Sequence, residues 1–282
     1  MNAKAWGIEF VNALDNNNWD ETIRIKNESV PDRIFKYFPL YDADHSRFSE
    51  ENKLRLDSLE NHNLWVCTPK KLNDPFELKA LSVDSKRIEK AGWDVQLCQN
   101  IINLLSSKIL VCCFSNGLRK RIPLWAHYAN NHQGFCVEYG INNKNRVFPV
   151  RYSNQRLISA TIVTRLCKAF LEGYEQDKEP GSDFWHYYQI LFLTFCTKSS
   201  EWEYEHEYRV FDFNEDEDKP GKLVPLSSTG LYVNKIFIGM NCAAEYEKEL
   251  VRIGKLLNCP VFKMGIVENS VYYSMRPIKI RN

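Results

Sequence analysis

An α+β fold is what this sequence predicts. Period-two runs rich in aromatic and β-branched residues read as strands, and apolar stripes at helical spacing read as helices. The two kinds of segment interleave at irregular intervals. No repeat, low-complexity linker or composition break divides the 282 residues, so the chain reads as a single domain over 1–282.

Composition narrows the class. The hydrophobic fraction of 44% is that of a globular chain, and a net charge of +1 carries no polyelectrolyte signature for bulk nucleic-acid or membrane attraction. Nine cysteines make an odd number, contain no C-x-x-C pair and sit in apolar contexts, which is the usage of buried free thiols in a reducing compartment. The first residues lack a basic stretch followed by an unbroken apolar run, and no segment approaches the roughly 18 apolar residues of a membrane span. The expectation is a soluble, cytoplasmic protein with no membrane partner.

Taken in order, residues 1–30 are a polar, Asn-rich extension with one short helix around Trp6–Leu14. Arg33–Phe38 reads as the first strand, closed by Pro39. The charged segment Asp44–Glu60 carries a helical stripe of Leu54, Leu56 and Leu59, and Leu64–Cys67 is a short buried strand stopped at Pro69. Lys71–Glu77 is a turn, because Asn73 and Asp74 before Pro75 favour side-chain-to-backbone bonds and block a helix. Residues 84–107 form one amphipathic helix, and Ile109–Ser115 a fully apolar strand.

A basic turn, Arg119-Lys120-Arg121, precedes a short helix from Leu124 that Gly134 caps. Phe135–Tyr139 and Val147–Tyr152 read as paired strands across an Asn/Lys-rich loop. Two helices fill 155–198, split at Glu179-Pro180-Gly181. The acidic run Asn214–Asp218 reads as a solvated hairpin loop, with strands resuming at Lys222–Leu226 and Leu231–Gly239. A helix over Ala243–Leu257, strands at Pro260–Met264 and Val271–Tyr273, and a basic tail, Arg276–Arg281, complete the chain.

Residues 198–213 organise the functional reading. Trp202, Tyr204 and His206 alternate with Glu203, Glu205 and Glu207, so the stretch reads as one strand with the three glutamates crowded on a face. Crowded carboxylates raise at least one pKa unless a cation or ligand compensates, and Arg209 continues that face. Either Glu203 and Glu205 are solvated and Arg209 pairs with Glu207, or a carboxylate is aimed at a ribose or a metal. Other candidate groups are the Asn73, Asp74 and Glu77 turn, the Lys36–Tyr37 pair of the first strand, and His127 beside Trp125 and Tyr128. His127 and His132 stand five apart, whereas helical metal pairs want three or four, so no metal site is assigned. No phosphate-binding glycine loop, nucleophile elbow or zinc-protease signature occurs. Cys112 and Cys113 lie in a strand whose burial dulls a thiol.

Several motifs occur together: Phe35-Lys36-Tyr37, Leu64-Trp65, Leu72–Glu77, Cys113-Phe114-Ser115, Trp125–Ala129 with Gly134, and Trp202–Arg209. The combination resembles a widespread bacterial and phage domain family of unknown function over roughly 31–240, the core of the chain. The C-terminal helix and strands over 241–282 lie beyond it. More distantly, Phe35–Tyr37, Asn63–Trp65 and the E-x-E of Glu205 and Glu207 resemble the ADP-ribosyltransferase fold. That resemblance implies a split mixed and antiparallel sheet flanked by helices, with NAD as substrate. It implies Glu207 as the catalytic carboxylate, with Glu205 orienting or activating the acceptor. Lys36, Tyr37, Asn73, Asp74, Ser115, His127, Tyr128 and Arg209 would line or contact the dinucleotide site, with Lys36 standing where such enzymes carry His or Arg.

The reaction implied is transfer of ADP-ribose to a macromolecule, left open between RNA, DNA and protein, or hydrolysis of NAD. The resemblance also implies the role of a toxin or phage-defence effector, with an antitoxin or inhibitor protein as partner. Two alternatives stand beside it. One is a metal-dependent nuclease using Glu77, Glu205 and Glu207 with Arg119, Lys120 and Arg121 on phosphate. The other is a non-catalytic binding module in which 14 Tyr, 16 Phe and 7 Trp serve packing and a partner surface.

Overall fold

The computed structural model describes residues 6–16, 18–41, 46–118, 122–175 and 179–280. The polar N-terminal segment is more helical than its composition suggests. After α1 (Trp6–Asp15), a second helix α2 (Trp19–Glu28) begins where the Asn18 side chain accepts a hydrogen bond from Glu21 N, and it buries Thr22, Ile25 and Lys26. Strand β1 (Arg33–Phe38), helix α3 (Ser46–Glu60) and strand β2 (Asn63–Cys67) follow as the periodicity predicts.

A two-residue strand β3 (Leu81–Ser82) comes next. The single helix expected over 84–107 is instead two, α4 (Ser85–Lys90) and α5 (Val95–Ser107). Gly92 takes φ +79° between them, and Asp94 opens the second by accepting a hydrogen bond from Leu97 N.

Strand β4 (Ile109–Ser115) and helix α6 (Ile122–Tyr128) lead into a left-handed turn, with Asn130, Asn131 and His132 at φ 45°, 51° and 67°. That turn ends the helix, so Gly134 is not its cap. A Cβ at Gly134 would come within 2.0 Å of the Phe38 carbonyl oxygen, and close approach of backbone explains the glycine. The chain continues through β5 (Phe135–Ile141), β6 (Val147–Pro149), β7 (Arg151–Ser153), β8 (Leu157–Ile158), α7 (Ala160–Glu175), α8 (Ser182–Phe195), β9 (Thr197–Ser199) and β10 (Glu207–Phe213). It ends with β11 (Gly221–Pro225), α9 (Leu226–Thr229), β12 (Leu231–Ile238), α10 (Ala244–Leu256), β13 (Val261–Ile266) and β14 (Met275–Lys279).

The architecture is α+β around a mixed sheet. Its main path runs β11-β2-β4-β1-β5-β12-β13-β14, with β10 against β4 and β6. The β12–β13 pair is parallel, and the other ladders of this sheet are antiparallel. Two expected pairings differ. Strand β5 pairs with β1 and β12, whereas β6 pairs with β10, so the Asn/Lys-rich loop joins strands that are not neighbours. The acidic loop after β10 is no hairpin either, because β11 crosses to β2. Val271, Tyr272 and Tyr273 form an exposed turn, and the last strand, Met275–Lys279, takes in most of the segment read as a basic tail, whose Arg281 lies outside the described residues.

Strand β4 is where the sheet divides. β10 accompanies it from Glu207↔Ser115 to Phe213↔Ile109. Along the other edge β1 meets it only at Phe35↔Ser115, and β2 only at Cys67↔Val111. Apolar side chains fill both faces. Ile34, Cys112, Phe114 and Val210 pack beneath α3 and α10 through Leu56, Leu59, Leu250 and Ile253. On the other face Val111 and Phe211 pack with residues of α5, α7 and α8, including Ile101, Leu166 and Leu191. The gap between β1 and β2 opens a cleft. Among the described residues no helix is long and apolar enough to cross a membrane.

Candidate functional site

The stretch 198–213 is not one strand. Thr197–Ser199 is strand, Ser200–Glu205 winds into a 3₁₀ helix, and the ladder restarts only at Glu207. Ser199 opens the 3₁₀ turn with its hydroxyl facing Glu201 N. His206 closes it in the left-handed region, at φ 43° and ψ 60°, with its N–H donating to Glu203 O. Glu203 therefore leaves the group, while Glu205 and Glu207 still converge. What joins them is a residue that strand alternation did not single out. Lys198 Nζ lies 2.7 Å from Glu205 Oε2 and 3.1 Å from Glu207 Oε2.

A buried charge network extends from this bridge. Arg209, with no exposed surface, places Nε 2.7 Å from Glu207 Oε1 and Nη1 2.5 Å from Glu77 Oε1, and it also donates to the Phe195 carbonyl at 2.6 Å. The Tyr128 hydroxyl donates to Glu205 Oε1, and Asn73 Nδ2 donates to the Tyr128 oxygen at 2.8 Å. Ser115 Oγ donates to the Glu205 carbonyl at 2.8 Å, and Glu207 N donates to the Tyr152 oxygen at 2.7 Å. Every oxygen of Glu205 and Glu207 is engaged.

The titration behaviour follows from this geometry. Burial disfavours the Glu207 charge, but Arg209 and then Lys198 outweigh it and hold the carboxyl at about 2. Burial likewise opposes the Lys198 ammonium, and Glu207 and Glu205 reverse the effect, leaving it above its ordinary value. Glu77 goes the other way. Burial pushes its carboxyl up, Arg209 offsets only part of that, and the charge of Glu207 adds to it. The Cys112 and Cys113 thiols are pushed up by burial, which keeps them neutral and unreactive.

Glu205 and Glu207 line a cleft of about 290 Å³ opened by the division of the sheet. Phe35, Tyr37 and Trp65 give it aromatic walls. Lys36 also lines it; its ammonium bonds the Cys113 carbonyl at 3.2 Å and stands over the Phe38 and Phe114 rings. Lys198 and the exposed Lys71 are further lining cations.

Of the residues expected at the site, Glu205, Glu207, Lys36, Tyr37, Asn73, Ser115 and Tyr128 do line this cleft. Three do not. Asp74 is a buried turn residue whose carboxylate accepts from Phe76 N. His127 is exposed, its ring against Tyr128 and Tyr204. Arg209 lies behind the cleft and holds Glu77 and Glu207. Ser115 is engaged with the Glu205 backbone, a positioning contact. Lys198, Tyr152 and Lys71 carried no signal of periodicity or spacing; only a lysine just after an apolar helix hinted at a buried partner.

A family model described as a protein of unknown function (DUF2971) matches residues 124–210. The match is narrower than 31–240, yet it spans Tyr128, Lys198, Glu205, Glu207 and Arg209, with Lys36 and Glu77 outside it. No curated protein and no solved structure matches the chain.

The carboxylate trio of the nuclease alternative does not form an open ligand set. Among the described residues no three His, Cys, Asp or Glu side chains are grouped to hold a metal ion, and the Lys198 ammonium already bridges Glu205 and Glu207. The phosphate-binding residues of that alternative, Arg119, Lys120 and Arg121, lie outside the described residues.

Proposed function

We propose that the protein cleaves the nicotinamide–ribose bond of NAD and passes ADP-ribose to an acceptor. The observation that carries this reading is the ionised Glu207, fixed beside Glu205 at an aromatic-lined cleft in a divided sheet. Breaking that bond develops positive charge at the ribose carbon. A carboxylate already held in place stabilises such charge without reorganising during the reaction. Arg209 and Lys198 keep Glu207 ionised across the physiological range, and Tyr152 and Ser115 fix the backbone that leads into it.

The remaining lining groups suit the same substrate. Phe35, Tyr37 and Trp65 offer faces to a planar ring, and Lys36 and Lys71 offer cations to the phosphates. A cavity of about 290 Å³ suits the nicotinamide–ribose portion, with the rest of the dinucleotide at the mouth. The resemblance of Lys36–Tyr37, Trp65 and the Glu205/Glu207 pair to ADP-ribosyltransferases supports the same assignment, as it does the toxin or phage-defence role.

The test is incubation with labelled NAD and cell extract, following free nicotinamide and labelled macromolecules. We expect Glu207→Gln to lower nicotinamide release by about 100-fold or more while binding of NAD by calorimetry persists. Undiminished release by that variant would remove Glu207 from the chemistry. A wild-type protein that neither binds NAD nor releases nicotinamide would leave the cleft as a binding module for another ligand.

A further inference from the structure

Among the described residues, one buried oxygen in the charge network has no hydrogen-bond partner. Glu77 Oε1 is engaged by Arg209 at 2.5 Å and by Leu78 N at 3.3 Å, but Glu77 Oε2 is buried and accepts no hydrogen bond. Buried carboxylate oxygens are ordinarily bonded, so a ligand is the natural candidate for the missing donor. Glu205 and Glu207 have no such vacancy, since Tyr128, Lys198 and Arg209 take all four of their oxygens. Glu205, expected to activate the acceptor, is therefore the less available of the two for that task.

Position reinforces the point. Glu77 and Lys71 line the cleft, and both also line a larger groove of about 1150 Å³ beside it, bounded by Thr68–Lys71, Leu81 and Ile102. Glu77 thus stands where the cleft holding Glu207 meets a second way in from solvent. Arg209 and the Leu78 amide fix its other oxygen, so the free one is held in place.

We propose that Glu77 is the general base of the transfer, taking on Oε2 the proton of a neutral O–H nucleophile that enters from the groove. The inference rests on the NAD reading above. In the step, the nucleophile's oxygen bonds to the ribose carbon. The bond from that carbon to the nicotinamide nitrogen breaks, its electron pair leaving on the nitrogen, and the nucleophile's proton passes to Glu77. The nucleophile is either water or a hydroxyl of a macromolecule; free ADP-ribose marks the first and labelled macromolecule the second.

Azide separates a base from a structural residue, because it attacks as an anion with no proton to lose. Glu77→Gln keeps an oxygen for Arg209, and its melting temperature is measured beside the wild type. With water or hydroxyl acceptors we expect it to release nicotinamide about 100-fold more slowly. Added azide should restore release to within a few-fold of the wild type and yield azido-ADP-ribose by mass spectrometry. Glu77→Asp, which retains a carboxylate, should lie between Gln and wild type without azide. Near-wild-type release by Glu77→Gln, or failure of azide to restore a folded Glu77→Gln, would overturn Glu77 as the base while leaving the NAD reading intact. A wild-type protein that releases no nicotinamide with or without azide would overturn both.

Discussion

The Arg209 guanidinium and the Glu207 carboxylate, two residues apart on β10, form a buried ion pair: Nε stands 2.7 Å from Oε1, and the two side chains are 0% and 3% exposed. Removing one partner of such a pair leaves the other charge stranded, and here Arg209 also holds Glu77. Arg209→Met should therefore destabilise the protein by about 3–5 kcal/mol. Urea denaturation measures this, and a loss within experimental error would mean that the three side chains relax apart on mutation.

The same network predicts two opposed limbs in stability against pH. Glu207 has its folded pKa depressed to about 2 from an ordinary 4.5. Its contribution is complete above the ordinary value and is lost as pH falls through the folded one. Glu77 has its folded pKa raised, so the folded state keeps that proton longer than the unfolded chain, and its contribution declines as pH rises above 4.5. Glu207→Gln should flatten the acid limb and Glu77→Gln the decline above it. Denaturation midpoints for both variants across pH check the signs; the reverse pattern would contradict the pairing.

Much of this arrangement could be read from residue order, and what could not has identifiable causes. Strands β1, β2 and β4 announce themselves because each is a short apolar or aromatic run with a proline or polar stop. The turn at Ser200–His206 does not: Trp202-Glu203-Tyr204-Glu205 alternates as a strand would, and only Ser199 and Ser200 at its start favour a capped turn. Glu205 and Glu207 were legible as a pair, but Lys198 between them was not, since ion pairing across a 3₁₀ turn follows no fixed spacing. Glu77 reaches Arg209 across 132 positions of sequence, a contact that no local spacing encodes. Gly134 looked like a helix cap because its reason for being glycine, the Phe38 carbonyl, lies in another strand.

Lys26 supplies a prediction away from the cleft. Its side chain is buried, bonds the Lys144 and Val147 carbonyls at 2.5 and 3.1 Å, and stands over the Phe148 ring with no carboxylate partner among the described residues. Burial lowers its pKa to about 7 from 10.5. Between those values the unfolded chain binds more protons than the folded one, so this residue makes stability rise with pH across the window. Lys26→Met should abolish that rise. Thermal midpoints of wild type and variant at pH 7 and pH 10 decide it, and parallel curves would show that Lys26 keeps its proton in the fold.

Gly134 gives the sharpest steric test. A Cβ there would meet the Phe38 carbonyl oxygen at 2.0 Å and the Phe38 carbonyl carbon and Pro39 Cα at 3.0 Å, all of them backbone atoms that cannot swing aside. The Gly134 carbonyl also accepts from Gly239 N at 2.8 Å, and Gly239 packs against the His132 carbonyl in turn. Gly134→Ala must therefore push β1 away from the start of β5, along the ladder that sets Lys36 and Tyr37 at the cleft. Forced overpacking of this kind costs about 1–3 kcal/mol. We expect a lowered denaturation midpoint together with weaker NAD binding. The combination matters: lost stability with unchanged affinity would mean that the strain is absorbed at the α6–β5 turn and never reaches β1.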